Sequence, residues 1–185
     1  MVFLKNNSEN TSMQLTLLKR SLVQNYYEPF SCSLNCATCH LSSQCRNGFS
    51  YAHHAGYLQH YFVLGLHELK NSAATLAQLH QAKAEYCSYQ RIFVRQELNY
   101  QQALEQCIDF VVQGDGDIGI EVDTDSISLM PVSAFTNCGI SVQAAEQFVY
   151  QLAKLPRSRY LHLAEAAPQQ HPAGLAAGVN EAGQV

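Results

Sequence analysis

The sequence predicts a three-layer α/β/α domain built on a mostly parallel sheet. Short β-rich apolar runs alternate with helical stretches in the order strand, helix, strand, helix, strand. Connections between them are short, which favours parallel crossover units with helices on the sheet faces. A third observation fixes the direction in which the sheet would carry chemistry. The run Gly119-Ile120-Glu121-Val122-Asp123-Thr124-Asp125-Ser126 is an apolar alternation that ends in two aspartates two residues apart. In parallel α/β sheets ligands sit at the carboxyl ends of strands, so this run aims two carboxylates at the place a site would occupy.

Length and composition set the outer bounds. A chain of 185 residues suffices for one domain with a real core. Its 47% hydrophobic content and 14% charged residues describe a globular protein. A net charge of -4 gives no electrostatic reason to expect nucleic acid or an anionic membrane as partner. The longest apolar run, Tyr61 to Leu66, is too short to span a bilayer, and Met1 to Asn10 has no apolar signal core. The expected location is the cytoplasm.

Along the chain, Met1 to Thr11 is polar and expected to be frayed. Leu15, Leu18 and Leu22 recur at helical spacing within an amphipathic helix over Ser12 to Tyr26. His60 to Leu66 reads as a buried strand closed by Gly65. Asn71 or Ser72 then caps a helix to about Ala84, and Tyr86 to Phe93 holds a further short strand. Asn99 opens the next helix with Gln102 at the capping-box position. Tyr100, Ala103, Leu104, Cys107, Ile108, Val111 and Val112 form its stripe, the clearest helical period in the chain. Gly114-Asp115-Gly116 breaks that helix and leads into a strand over Ile118 to Asp123. Ser141 caps a third helix, which Pro156 closes. Tyr160 to Leu163 is the last strand. Beyond Pro168 the composition turns to Ala, Gly, Gln and Pro, and 175–185 reads as a flexible tail.

Two sets of side chains could carry chemistry. Asp123, Asp125 and Glu165 lie at or just past the ends of strands joined by one crossover helix, and converge if those strands are neighbours. Oxygen donors of that kind suit Mg, Mn or Ca. Seven cysteines include Cys32, Cys36, Cys39 and Cys45, spaced C-x3-C-x2-C-x5-C. Four thiolates in so short a stretch can wrap a soft metal or an iron–sulfur cluster. An odd count clustered this way is not a secreted disulfide framework. His53 and His54 are adjacent and point apart in regular structure. His67, at a strand end, reads as a hydrogen-bonded structural histidine. Ser126 and Ser128 have no His/Asp partner at a recognisable spacing for nucleophilic catalysis.

Several short motifs fall in a familiar order. Asn47-Gly48-Phe49, Gly56-Tyr57-Leu58 and Tyr61-Phe62-Val63-Leu64-Gly65-Leu66-His67-Glu68 come first. Asp123-x-Asp125, the loop to Gly139, and Leu163-Ala164-Glu165-Ala166-Ala167-Pro168 follow. Together they resemble the arginase (ureohydrolase) family, and are most similar to its formimidoylglutamase-like branch. The resemblance covers about 47–174, a C-terminal half-domain, and leaves 1–46 as an unrelated or frameshifted segment. It implies an arginase-like, partial α/β fold and a two-manganese hydrolase acting on a guanidino or formimino carbon. There the metals would lower the pKa of bound water and hold it against a poor electrophile. Asp123 and Asp125 are implied as metal ligands, and Glu165 as the carboxylate facing the amidine-type cation. The implied partner is a small amidine substrate; whether the chain forms a homo-oligomer is not legible in the sequence.

The same comparison shows what is missing. The family's other ligands come from Gly-Gly-Asp-His and Asp-Ala-His-x-Asp motifs upstream, and this chain has no aspartate before Asp109. Each ion of a two-metal site needs several further ligands. The chain is therefore expected to be a truncated or frameshifted relative, inactive as it stands. The alternatives are a protein holding a metal or cluster on its four cysteines, and a non-catalytic partner of a full-length homologue.

Overall fold

In the computed structural model the structure describes residues 2–5, 53, 56, 58–132 and 135–182. Five strands form one sheet in the order β3-β2-β1-β4-β5. They are β1 (Val2–Lys5), β2 (Leu58–Leu66), β3 (Glu85–Ser88), β4 (Asp117–Asp123) and β5 (Ser158–Ala164). β2 runs parallel to β3 and β4 parallel to β5, while β1 is antiparallel to both of its neighbours. Four strands thus share one direction, and their carboxyl ends lie along a single edge of the sheet. The expected mostly parallel sheet is present, with one reversed strand at its centre.

That central strand corrects an expectation. Val2–Lys5 is not frayed: Val2 pairs with Phe62 on one side and with Ile120 on the other. Three of its four residues (Val2, Phe3 and Leu4) are apolar, and four residues suffice when ladders form on both sides. The helix expected over Ser12 to Tyr26, and the cysteines Cys32, Cys36, Cys39 and Cys45, lie outside the described residues.

Helices follow from their caps. α1 (Ala73–Gln81) starts at Ser72, whose hydroxyl accepts from the Thr75 amide at 3.1 Å. α2 (Tyr100–Val112) starts on a full capping box: the Asn99 side chain accepts from Gln102 N–H, and the Gln102 side chain accepts from Asn99 N–H. α3 (Val142–Ala153) starts at Ser141, which accepts from the Ala144 amide at 3.1 Å. Replacing Asn99 by alanine is expected to cost about 1 kcal/mol. Urea denaturation should show a lower midpoint with an unchanged slope.

One sheet face carries the main core. Ile118, Ile120 and Val122 of β4 and Phe62 of β2 pack with Leu104 and Val111 of α2 and Phe148 and Leu152 of α3. Leu79 of α1 joins Leu58, Tyr61 and Leu66 of β2 in a second, separate cluster. The expected three layers follow from these two clusters. Among the described residues no helix is long and apolar enough to cross a membrane.

Two further segments differ from the sequence reading. Tyr86 to Phe93 is not one strand: β3 ends at Ser88, and Gln90–Val94 winds into a wide helical turn. The cause is local. The Ser88 hydroxyl accepts from Arg91 N–H at 3.1 Å, and the Gln90 carbonyl from Arg95 N–H at 2.7 Å, which curls the chain off the sheet. The segment 175–185 is not wholly loose either, because Leu175–Ala182 forms α4 beside the Pro168–Gln170 turn. Alanine-rich composition favours a helix once its start is fixed by such a turn.

Candidate functional site

β4 and β5 are hydrogen-bonded neighbours, and their register pairs Asp123 with Ala164. Glu165 is the next residue, so the expected convergence of strand ends is met in the sheet itself. After Asp123 the chain makes a single tight turn, Thr124–Ser126. There the Asp123 carboxylate accepts from the Asp125 amide at 3.1 Å, and the Ser126 hydroxyl donates to the Asp123 carbonyl at 2.6 Å. This turn holds Asp123 and Asp125 at the sheet edge as two arms of one bend.

Their electrostatics report the crowding. The Asp123 carboxyl is pushed up to about 6. Burial is the first cause, then the charge of Asp125, with Glu165 and Glu121 adding to the rise and the Asp125 amide opposing it. By surface area Asp123 still meets solvent. The packed strand end behind it, rather than full enclosure, is what removes its water. A carboxylate whose proton affinity is raised by neighbouring negative charge also favours a cation beside it.

Below them on the same strand face lies Glu121, a buried residue whose carboxylate stands 3.6 Å from Nδ1 of His162 on β5. Glu121 and Asp123 both raise the buried Tyr61 phenol, after burial itself. The Tyr160 ring lies over Gly119, where an added Cβ would be 2.3 Å from the ring. Glu121, His162, Tyr61 and Tyr160 were not singled out from the sequence. Strand alternation places Glu121 on the face of Asp123, but nothing in the sequence marks the opposing strand's register.

The loop after β4 closes on itself and on β5. Ser128 N–H donates to the Ile140 carbonyl and Ile140 N–H to the Ser126 carbonyl, each at 2.9 Å. Ala167 N–H donates to the Pro131 carbonyl at 2.9 Å, and Val132 bridges Ala166. Glu165, between Ala164 and Ala166, has φ 65°, a left-handed conformation uncommon for a residue with a side chain. The chain around the three carboxylates is therefore held from both sides.

His67 is hydrogen-bonded at the end of β2. Its ring stacks on Tyr89 at 5.5 Å between centroids, and the Gln90 side-chain amide lies 3.1 Å from Nε2. Beside it Glu68 accepts two hydrogen bonds from Arg95, at 2.7 and 2.9 Å, and one from Ser88. The arginine, then the serine, holds the Glu68 carboxyl down at about 2. These groups pair among themselves at the ends of β2 and β3.

Manganese is tested by these residues and only partly suited. The charge sign and the oxygen donors fit. The number of ligands does not: among the described residues no group of three His, Cys, Asp or Glu side chains is placed to hold a metal ion. Asp123 also spends one carboxylate oxygen on its own turn.

No protein-family model matches the chain. No curated protein matches it either. Solved structures do. The arginase of Entamoeba histolytica, solved in complex with L-ornithine, aligns with TM-score 0.54 and 13% identity, covering 66% of this chain and 41% of that one. The formimidoylglutamase of Bacillus subtilis subsp. subtilis aligns with TM-score 0.54 and 20% identity, covering 65% of this chain and 38% of that one. The likeness is one of fold. Over about two thirds of its length this chain shares the fold of those proteins, and it spans about two fifths of their length.

Proposed function

We propose that this chain is the amidine-recognising part of an arginase-like hydrolase, and that it does not cleave substrate unaided. The observation that supports this reading is the β4–β5 pairing, which brings Glu165, the residue after Ala164, to the same end of the sheet as Asp123 and Asp125. A planar amidinium, guanidino or formimino, presents paired N–H donors to a carboxylate, a geometry worth more than a point charge. Crowded carboxylates gain further by accepting a cation, since each relieves the repulsion on the others. Asp123 and Asp125 supply the like-charged side of this wall, and Glu165 the carboxylate that takes the amidine.

Hydrolysis of an amidine needs an activated water. Manganese is the metal implied by the resemblance to arginases, but the three carboxylates do not complete its coordination. The absence of any aspartate before Asp109 favours a second, related reading, a non-catalytic binding partner of a complete homologue.

One experiment separates these readings. The purified chain is incubated with manganese and, in turn, formimidoylglutamate, arginine and agmatine, and release of formamide or urea is followed. The expected result is no release above the blank, together with a rise in melting temperature on adding agmatine, since a ligand that binds only the folded state stabilises it. Steady product release would make the chain a competent hydrolase. No thermal shift with any of the three amidines would remove the recognition role.

A further inference from the structure

Thr124 stands between the two strand-end aspartates and is completely buried. A buried hydroxyl requires a partner. This one donates to the Ala164 carbonyl at 2.7 Å. Ala164 precedes Glu165, so one hydrogen bond ties the aspartate arm of the wall to the glutamate arm. On the far side of Glu165, Ala166 and Ala167 are tied to Val132 and Pro131. Both ties come from the segment that leaves β4. Glu165 lies between them at φ 65°, and a left-handed backbone at a residue with a Cβ persists only where its surroundings impose it.

We propose that Thr124 is a positioning residue: its hydroxyl holds the Ala164 carbonyl and so sets the left-handed turn that keeps Glu165 beside Asp123 and Asp125. The functional half of this proposal rests on the amidine-recognition reading above; the structural half does not. Valine at 124 keeps the shape and buries as well, but leaves the Ala164 carbonyl without its donor. Serine keeps the donor. A hydroxyl that only stabilised the fold would lower the melting temperature in Thr124→Val without moving Glu165.

The test uses the full chain as wild type, Thr124→Val and Thr124→Ser, well below their melting temperatures. Backbone NMR shifts and couplings report the conformation of Glu165, and an agmatine titration reports affinity. Thr124→Val is expected to lose the left-handed signature of Glu165 and to bind agmatine about tenfold more weakly, the scale of one buried hydrogen bond. Thr124→Ser is expected to restore both. Retention of the Glu165 conformation in Thr124→Val overturns the proposal, as does its loss with affinity unchanged. If wild type binds no agmatine, the recognition reading falls, and the conformation of Glu165 alone decides for or against Thr124. Thr124→Ala, which also lacks the hydroxyl, carries the same test should Thr124→Val not fold.

Discussion

Gly139→Val is expected to destabilise the protein by about 2–3 kcal/mol, the cost of forcing extra carbon into a packed site. A Cβ at this position would lie 2.3 Å from the Ser126 carbonyl oxygen and 2.8 Å from the Ser128 amide nitrogen. Both are backbone atoms, so no side chain can rotate away to relieve the contact. The Ser128 hydroxyl also bridges to the Gly139 backbone at 2.9 Å. Moving residue 139 outward would break that bridge and the two backbone hydrogen bonds that tie Ile140 to Ser126 and Ser128. Urea denaturation should show the fall as a lower midpoint. Since total stability is typically about 5–15 kcal/mol, the loss is a substantial fraction of the whole. A midpoint equal to wild type would mean that Gly139 does not approach Ser126 in solution.

The strands and helices read from the sequence are those whose periodicity matches their burial. α2 was legible because its apolar stripe and its Asn99–Gln102 box agree, and β4 because Ile118, Ile120 and Val122 alternate toward one core. β1 was not legible. Its four residues carry no period of their own, and what makes them a strand is pairing with β2 and β4, distant in sequence. The turn at Gln90–Val94 escaped for the opposite reason: Ile92 and Phe93 have strand propensity, but side-chain and backbone hydrogen bonds at Ser88 and Gln90 override it.

The site divides along the same line. That Asp123, Asp125 and Glu165 share one edge follows from chain direction in a parallel sheet, and required only that β4 and β5 be adjacent. The hydroxyl of Thr124, the backbone of Glu165 and the closure of the 126–140 loop depend on contacts across the sheet end. No local pattern announces them. Thr124 has the composition of an ordinary turn residue and becomes informative only when its partner, Ala164, is known. The cysteine cluster, conspicuous in sequence, lies outside the described residues.

Asp123→Asn is expected to stabilise the folded protein at neutral pH while weakening the amidine binding proposed above. Burial and the neighbouring carboxylates push the Asp123 carboxyl up to about 6, against about 4 in an unfolded chain. The folded state therefore binds this proton more tightly than the unfolded state does. Its contribution to stability is complete below about pH 4, falls as pH rises through about 6, and is absent above that. At neutral pH the ionised group strains the site. A rise of that size is worth about 3 kcal/mol in a dry site and roughly 1–2 kcal/mol for a carboxylate that keeps contact with solvent. Asparagine removes the charge but keeps an oxygen to accept from the Asp125 amide. In EDTA, Asp123→Asn should melt above wild type at pH 7.5, and the difference should shrink toward pH 4. A lower melting temperature at pH 7.5, or a difference independent of pH, would show that the carboxylates do not crowd one another. Weaker agmatine binding by the more stable variant is the expected mark of a residue kept for its charge, because a charge that is costly on its own is what draws a cation to it.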